Sequence, residues 1–330
     1  MTTKTLNIIN AFPKRKVGVI GDIMLDHYIT GLVERVSPEA PVPVIRTTIE
    51  KFVPGGAANT ALNIVSLGAS AELIGVVGLD MPAKKILDIL NKNGVFCRGI
   101  FADRLRRTTE KIRINARGQQ VVRIDREDVF PIKKVLERRI IDFVSSRIAA
   151  WDAVVVSDYA KGTLTSVLAA KIIELARLHK KPIIADIKPV NFDMFKGVTL
   201  VSPNKKEAAE VSGLGLNSER EIRLAGEHLR KKMRSRVLLT RGSEGMTLFD
   251  GTRPVSFPSF APAVVDGTGA GDTVVAISAL AIASGAKYRE AALISSYAAG
   301  VVVSKSGTAS VTLKELIAHV ERQNKITRRA

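Results

Sequence analysis

Short apolar runs alternate with amphipathic stretches along almost the whole chain. Residues 16–21 (KVGVIG) predict a first buried strand. Further strands are predicted at 72–77, 152–156, 182–186, 198–201 and 236–240, and helices at 57–67, 81–93, 132–149, 164–180, 204–212 and 218–233. This alternation indicates an α/β fold with a doubly wound, mostly parallel sheet that helices cover on both faces. Such sheets bind ligands at the carboxyl ends of their strands.

Two stretches interrupt the alternation. Residues 29–50 contain the proline-rich string SPEAPVP followed by strand-like residues, and residues 108–125 alternate like a hairpin that turns at 116–118. Neither stretch is followed by a predicted helix, and on the pattern alone both are surface hairpins. We find no internal repeat or linker in the sequence and expect a single domain over residues 1–330, with these segments inserted.

Composition narrows the class of protein. Apolar residues make up 46% of the 330 residues, as in a globular core, and the single cysteine, Cys97, cannot form an internal disulfide. The sequence shows neither a secretory signal nor an apolar run long enough to span a bilayer, so we expect a cytoplasmic protein without membrane contact. The four histidines lack metal-ligand spacing, so we expect no structural metal.

The net charge of +18 raises the question of a nucleic-acid partner. Lysine and arginine are dispersed along the chain, however, and aromatic residues account for only 5% of it. A basic surplus equally suits an enzyme that binds a nucleotide and a sugar phosphate. We therefore expect no nucleic-acid partner.

The most specific motif is DGTGAGD at 266–272, which precedes a predicted helix of small residues at 273–284. Its glycines let the backbone approach a ligand closely, and a helix start presents unpaired N–H groups to an anion. Asp272 would then lie beside a phosphate, where it could take a proton from an attacking hydroxyl. The alternative is a glycine-rich turn in which Asp272 is an ordinary residue of the first helical turn.

This motif and the string GGAAN at 55–59 resemble the two signatures of the ribokinase-like (PfkB) sugar and nucleoside kinases, over roughly residues 12–320. The resemblance implies a ribokinase-like fold in which the stretches at about 29–50 and 108–125 form a small β-lid, which covers the sugar and makes a homodimer contact. It also implies ATP-dependent phosphorylation of a hydroxyl. Asp272 would be the base, and the amides of Gly269, Ala270 and Gly271 would form an anion hole for the γ-phosphate.

The resemblance also assigns residues to ATP and Mg²⁺. Asn204 and Glu207 of the string NKKE share one face of a helical turn, an arrangement that by itself is typical of a capping box. In the family these residues lie by the ATP phosphates and help to order Mg²⁺ through water. The further residues assigned to ATP are Lys205, Lys206, Thr240, Gly242, Gly245, Asp266 and Gly300. A hairpin turn at 242–245 and helix–sheet packing at Gly300 are the alternatives.

The resemblance assigns contacts with the sugar to Asp22, Gly55, Gly56 and Asn59. Asp22 follows the first strand, where a carboxylate could accept hydrogen bonds from hydroxyls, whereas Asp26 fits a sugar contact or a turn equally well. Asp158, Asp186 and Lys188 also follow predicted strands and are candidates for substrate or metal contact.

The strings VSPEAPVPV at 36–44, ARGQQ at 116–120 and SDY at 157–159 resemble the D-glycero-D-manno-heptose-7-phosphate kinases. That group phosphorylates the anomeric 1-hydroxyl and gives heptose 1,7-bisphosphate for nucleotide-activated heptose and lipopolysaccharide or surface-glycan synthesis. The string DIKP at 186–189 departs from the commoner DPKG and leaves the exact sugar open. Another PfkB sugar or sugar-phosphate kinase and a non-enzymatic regulatory member are the alternatives.

Two further expectations concern the substrate and the extent of the chain. Arginines are concentrated at 104–126, and we expect at least one of Arg113, Arg117 and Arg123 to bind the 7-phosphate, because the guanidinium group matches phosphate oxygens. A solvated hairpin face is the alternative.

An H-x-G-H element, which a fused nucleotidyltransferase would need, does not occur in the sequence, so we expect a kinase unit alone.

Overall fold

The computed structural model describes residues 2–261, 263–305 and 307–327, which form two β-sheets with helices packed around them. The strands are β1 (Lys16–Gly21), β2 (Ile23–Val36), β3 (Pro43–Gly56), β4 (Ser70–Val77), β5 (Phe96–Ala102), β6 (Thr109–Ala116), β7 (Gln119–Arg126), β8 (Ala153–Ser157), β9 (Ile183–Asp186), β10 (Leu200–Val201), β11 (Arg236–Thr240), β12 (Met246–Phe249) and β13 (Val255–Phe257). The α-helices are α1 (Thr2–Asn10), α2 (Ala57–Ser66), α3 (Met81–Lys92), α4 (Lys134–Arg147), α5 (Ser166–Leu178), α6 (Lys205–Ser212), α7 (Glu219–Met233), α8 (Ala270–Ala283), α9 (Tyr288–Val302) and α10 (Leu313–Thr327). Within these ranges, none of the helices has the length and apolar character needed to cross a bilayer.

The larger sheet has nine strands in the order β13-β12-β11-β10-β9-β8-β1-β4-β5. Neighbours from β11 to β5 are parallel, and β12 and β13 add an antiparallel edge. Side chains alternate between two cores: Val17 and Val19 of β1 pack in one, and Ile20 packs in the other. The predicted doubly wound, mostly parallel sheet is thereby confirmed.

Each face of this sheet has its own set of helices. Helices α1, α2, α3, α8, α9 and α10 contribute to the first core, and α4, α5, α6 and α7 contribute to the second. Strands β9, β8 and β1 are adjacent, with Gly21, Ser157 and Asp186 in one row at their carboxyl ends. The acidic residues that follow these strands are therefore brought together at one edge of the sheet.

The second sheet contains the two stretches that interrupt the strand–helix alternation. Its order is β3-β2-β6-β7, so the strands at 29–50 and 108–125 lie in one sheet, although β2 and β3 extend beyond the predicted segment. Arg117 and Gly118 both have positive φ, as a two-residue hairpin turn between β6 and β7 requires. The stretches are thus strands of a single sheet rather than separate hairpins.

Strand pairing gives the two faces of this small sheet different chemistry. Asp26, Lys111 and Asp125 lie in one cross-strand row, and Tyr28, Arg113 and Arg123 lie in the next row on the same face. A row on the opposite face holds Ile29, Ile114 and Val122. Because side chains alternate along a strand, the first face is strongly charged, whereas this row of the second face is apolar apart from Glu50, which pairs with Ile29.

Buried polar side chains hold α2 against α8, beneath the DGTGAGD turn. The Asn63 amide, which is 0% exposed, donates to the backbone carbonyl of Asn59 at 3.0 Å and to its side-chain oxygen at 3.3 Å. The Thr273 hydroxyl donates to Asn63 Oδ1 at 3.0 Å. Asn63 therefore links the GGAAN segment of α2 to the start of α8.

Replacing Asn63 with leucine should lower stability by about 1–3 kcal/mol, because the buried amide oxygen of Asn59 loses its donor. Thermal unfolding measures this effect, and we expect the Tm to fall by several degrees. The matched control is the double variant Ser278→Ala/Ser295→Ala, which removes both partners of a buried hydroxyl pair 2.9 Å apart on α8 and α9. A Tm of Asn63→Leu equal to that of the double variant would contradict the linking role.

Candidate active site

Asp272 lies in the first turn of α8 and is only 3% exposed. Its carboxylate accepts hydrogen bonds from Asn59 Nδ2 at 2.7 Å, from the Tyr159 hydroxyl at 2.9 Å and from Thr60 Oγ1 at 3.2 Å. Burial raises the pKa of Asp272 to about 6, although the three donors favour the charged form and act in the opposite direction. Near neutral pH this carboxylate is therefore mostly ionised, yet it is basic enough to take up a proton.

The turn at 267–272 separates two cavities. The large cavity has a volume of about 530 Å³, and Gly267, Ala270 and Gly271 lie in its wall. The small cavity has a volume of about 230 Å³, and Gly269 and Asp272 lie in its wall. A group bound in one cavity would therefore meet a group bound in the other across a single turn of backbone.

Helix α8 begins in this turn, and its first residues lie at the large cavity. The first helical hydrogen bond runs from Thr273 N to Gly269 O at 3.1 Å, so the amides of Gly269, Ala270 and Gly271 precede the hydrogen-bonded ladder. The Ala270 amide makes a long bond of 3.3 Å to Gly267 O. The predicted anion-hole residues thus lie at the positive end of the helix dipole.

Asp266 does not contact either cavity as the resemblance implies. Its carboxylate accepts hydrogen bonds from Thr268 N at 2.9 Å and from Gly307 N at 3.1 Å, and it lies outside the described lining of both cavities. Asp266 therefore fixes the entry into the turn, and its assignment to ATP or Mg²⁺ stays a prediction.

Most of the other residues assigned to ATP are brought together around the large cavity. Its wall includes Asn204, Lys205, Lys206, Thr240, Gly242, Gly245 and Gly300. Gly300 is required there by a packing contact, since a Cβ on it would lie 2.8 Å from the carbonyl carbon of Phe260. The backbone of the loop that passes over α9 therefore leaves no room for a side chain at position 300. This contact differs from the two predicted reasons for a glycine here, which were helix–sheet packing and a nucleotide base.

Glu207 lies behind this wall and uses both carboxylate oxygens. It forms the capping box with Asn204, through Asn204 N to Glu207 Oε2 at 2.9 Å and Glu207 N to Asn204 Oδ1 at 3.0 Å. Its other oxygen accepts a hydrogen bond from Lys188 Nζ at 2.5 Å. The capping interpretation is confirmed, and the ion pair joins α6 to the carboxyl end of β9.

Asp186 lies between this ion pair and α8. It is 8% exposed, and its Oδ2 lies 3.5 Å from the position that a Cβ on Gly271 would occupy. Burial and the nearby charge of Glu207 raise the pKa of Asp186, while Lys188 offsets part of that effect. The carboxylates of Asp186 and Glu207 repel one another, and a cation bound between them would be stabilised.

The small cavity has a strongly charged lining. Lys111, Arg113, Arg123 and Lys188 contribute basic groups, and Asp26 and Asp272 contribute acidic ones. Asp26 forms a close ion pair with Arg113. The alternation of β6 and β7 places Lys111, Arg113 and Arg123 on the charged face of the small sheet, which explains why they converge. A small anionic molecule would be well accommodated.

Arg117 is not part of this lining. It is exposed at the hairpin turn, and its Nη2 donates to the carbonyl of Val33 at 3.3 Å. Its contact with the substrate phosphate stays a prediction, whereas Arg113 and Arg123 lie in the wall of the small cavity.

Two aspartates predicted to contact the substrate hold loops in place. Asp22 accepts hydrogen bonds from the backbone amides of Tyr159, Lys161 and Thr163 at 2.8, 3.0 and 3.2 Å, and is 1% exposed. Asp158 accepts hydrogen bonds from Ala160 N, Lys188 N and the Asn191 amide. These donors already occupy most of the acceptor sites of both carboxylates, and the contacts with the substrate stay predictions.

The glycine-rich signature lies beside Asp272. Gly56 lines the small cavity, and a Cβ on Gly55 would lie 2.6 Å from Asp26 Oδ2. Asn59 is directed at the carboxylate of Asp272 rather than into the cavity. Sequence reasoning missed Lys111 and Tyr159 as lining residues; strand alternation from Arg113 could have identified Lys111, whereas no periodic signal identifies Tyr159.

The profile of the pfkB family carbohydrate kinases matches residues 14–315 of the chain. The chain is 42% identical over 302 residues to bifunctional protein HldE of Geobacter metallireducens, covering 91% of the chain and 61% of the relative. It is also 42% identical over 311 residues to bifunctional protein HldE of Caulobacter vibrioides, covering 93% of the chain and 64% of the relative. The chain thus spans less than two thirds of the length of these relatives.

Solved structures share the fold at lower sequence identity. The structure of Arabidopsis thaliana ribokinase complexed with ribose and ATP superposes with a TM-score of 0.75 at 20% identity, covering 93% of this chain and 99% of that one. Escherichia coli phosphofructokinase-2 in complex with substrates and products gives a TM-score of 0.77 at 18% identity, covering 94% and 99% of the two chains. These similarities establish the ribokinase-like fold.

The DGTGAGD turn provides a matched pair of glycine substitutions. Gly269 has φ of +80°, and a Cβ on it would lie 2.8 Å from the buried Asn59 amide that donates to Asp272. Gly269→Ala should therefore cost about 1–3 kcal/mol and lower the Tm by several degrees. Gly267→Ala is the control, because a Cβ there meets no described atom within 4 Å. Equal Tm values for the two variants would contradict this account of the turn.

Proposed function

The chain belongs to the pfkB family of carbohydrate kinases, and we propose that it transfers the γ-phosphate of ATP to the anomeric 1-hydroxyl of D-glycero-D-manno-heptose 7-phosphate. The observation that carries this proposal is the position of buried Asp272 on a turn between a large cavity and a small, basic cavity. The volume of the large cavity is typical of sites for small organic ligands. The charge of the small cavity favours a phosphorylated sugar over a neutral one.

The choice of heptose rests on two observations. The strings at 36–44, 116–120 and 157–159 resemble heptose-phosphate kinases, and the relatives named HldE share about two fifths of the aligned residues with this chain, 42% in the Geobacter protein. The resulting 1,7-bisphosphate would serve nucleotide-activated heptose for lipopolysaccharide or surface-glycan synthesis. We infer a cytoplasmic reaction, since ATP is the proposed phosphate donor.

In the proposed reaction the sugar hydroxyl enters from the small cavity and the triphosphate from the large one. Asp272 takes the hydroxyl proton while the oxygen forms a bond to the γ-phosphorus, and the bond from that phosphorus to the β,γ-bridging oxygen breaks to release ADP. The amides of Gly269, Ala270 and Gly271 stabilise negative charge on the transferred group. Electrostatic stabilisation of this kind is the main catalytic contribution in phosphoryl transfer.

Mg²⁺ fits the acidic residues beside the large cavity. Magnesium is usually held by one or two carboxylates, water and substrate phosphates. Asp186 provides one such carboxylate, and burial and the charge of Glu207 raise its pKa. Both oxygens of Glu207 already accept hydrogen bonds, from Asn204 N and from Lys188 Nζ, so Glu207 would meet the ion through water. Bound there with ATP, the ion would neutralise phosphate charge.

We also propose that two copies of the chain associate through the outer face of the small sheet. That face carries Ile29, Ile114 and Val122 in one row, and Val122 is 44% exposed. Ile124, in the neighbouring row of the same face, is 42% exposed. Exposed apolar side chains gathered on one sheet face mark a protein interface.

Asp272→Asn should lower kcat at least ~10²-fold, the usual loss for a general base, and leave ATP binding intact. In the unchanged enzyme, kcat should rise with pH through about 6, because Asp272 accepts a proton only when ionised and burial has raised its pKa to about 6. Steady-state rates at saturating substrate across pH 5–9 measure both effects. A variant with near-normal turnover would remove Asp272 from this role.

Arg123→Ala and Lys111→Ala should each raise the KM for heptose 7-phosphate by roughly tenfold, with little change in the KM for ATP, since each removes a charge that lines the small cavity. Arg117→Ala is the matched control, because that side chain lies outside the described lining. Unchanged KM values in both cavity variants would place the sugar phosphate elsewhere.

A further inference from the structure

The hydroxyl of Tyr159 is one of three groups that hold the Asp272 carboxylate. A carboxylate has about four lone-pair sites. Asn59 occupies one site on Oδ2, and Tyr159 and Thr60 donate to Oδ1 at 2.9 and 3.2 Å. The remaining site is on Oδ2, the oxygen that only Asn59 contacts among the described residues.

The three donors differ in what they can contribute. The Thr60 hydroxyl has a single proton and lies 3.4 Å from the Gly56 carbonyl as well as 3.2 Å from Asp272, so it is shared between two acceptors. Tyr159 makes the shorter bond to Oδ1. Tyr159 also lines the small cavity together with Asp272. It is therefore the main donor to Oδ1 and the donor nearest to the proposed substrate.

Tyr159 remains a proton donor throughout the pH range of interest. Burial, with the charge of Asp272 as a further cause, raises its pKa well above the ordinary value for tyrosine. The phenol therefore stays neutral and directs its O–H at the carboxylate. A hydrogen bond of this kind favours the ionised form of the acceptor.

The position of Tyr159 is set independently of Asp272. The Asp22 carboxylate holds the backbone on both sides of it, through Tyr159 N and Lys161 N. Ala160, the next residue, has φ of +54°, a conformation that a non-glycine residue adopts only when its surroundings impose it. The ammonium of Lys188 lies 5.1 Å from the centre of the tyrosine ring. The loop thus presents the phenol in a fixed place.

We propose, on the basis of the kinase function proposed above, that Tyr159 is a positioning residue that orients Asp272 so that one Oδ2 lone pair faces the sugar hydroxyl. In the reaction the hydroxyl proton moves to Oδ2, and the phenol keeps its own proton. Asp22 contributes to this positioning through the loop that it holds.

The test measures Asp272 directly in the full chain without substrate. Aspartate side-chain carboxyl groups are labelled with ¹³C, and the Asp272 signal is assigned by its loss in Asp272→Asn. Tyr159→Phe should raise the pKa of Asp272 by about 1 unit, because the charged form loses a donor. Tyr28→Phe is the matched control: its hydroxyl contacts Thr308 Oγ1 at 3.1 Å, at the same cavity, and the pKa should not change. An unchanged pKa in Tyr159→Phe would overturn the proposal.

Kinetics supply the second readout. Tyr159→Phe should lower kcat roughly tenfold and move the acid limb of its pH profile upward with the pKa, while the KM for ATP stays constant. A lowered kcat with an unshifted limb would indicate a merely structural role and overturn the proposal. If the unchanged protein fails to phosphorylate the heptose but the titration shows the shift, the proposed substrate is wrong and the positioning of Asp272 is supported.

Discussion

The structure depends on one buried carboxylate and the donors that hold it. Asp272 is satisfied by Asn59 and Thr60 from α2 and by Tyr159 from the loop after β8, so these elements must meet at the start of α8. Burial raises its pKa from 3.8 to about 6, so its contribution to stability is fully present below pH 3.8 and is lost as pH rises through 6. The fold thus gives up stability at neutral pH to keep a base inside the site.

The same turn explains how two ligands could be kept apart and still react. Glycines at 267, 269 and 271 allow backbone, rather than side chains, to form the partition between the cavities. On the sugar side the small sheet contributes charge from one face, where Lys111 and Arg123 are each paired with Asp125. A substrate phosphate would compete with Asp125 for these cations, so binding would rearrange an existing ion-pair network rather than fill a neutral pocket.

Periodicity predicts six of the seven parallel strands and most of the helices but not β5, and the glycine motif predicts the DGTGAGD turn, because these features follow from local pattern. The carboxylates after the strands were harder to predict. Asp22 and Asp158 follow β1 and β8 as expected, but their partners are backbone amides of a loop that pattern does not place. The partners of Asp266 were equally hard to predict, because one of them, Gly307, comes from a distant segment of the chain. Only the folded chain shows which acceptors remain available to a ligand.

The central claim is that phosphate passes from ATP to the anomeric oxygen of a sugar phosphate across the turn at 267–272. The most direct measurement is ³¹P NMR of a reaction containing the chain, ATP, Mg²⁺ and D-glycero-D-manno-heptose 7-phosphate. The account predicts a new phosphate resonance coupled to the anomeric proton, formed in step with ADP. A phosphate on another carbon, or ADP and inorganic phosphate without a phosphorylated product, would contradict it.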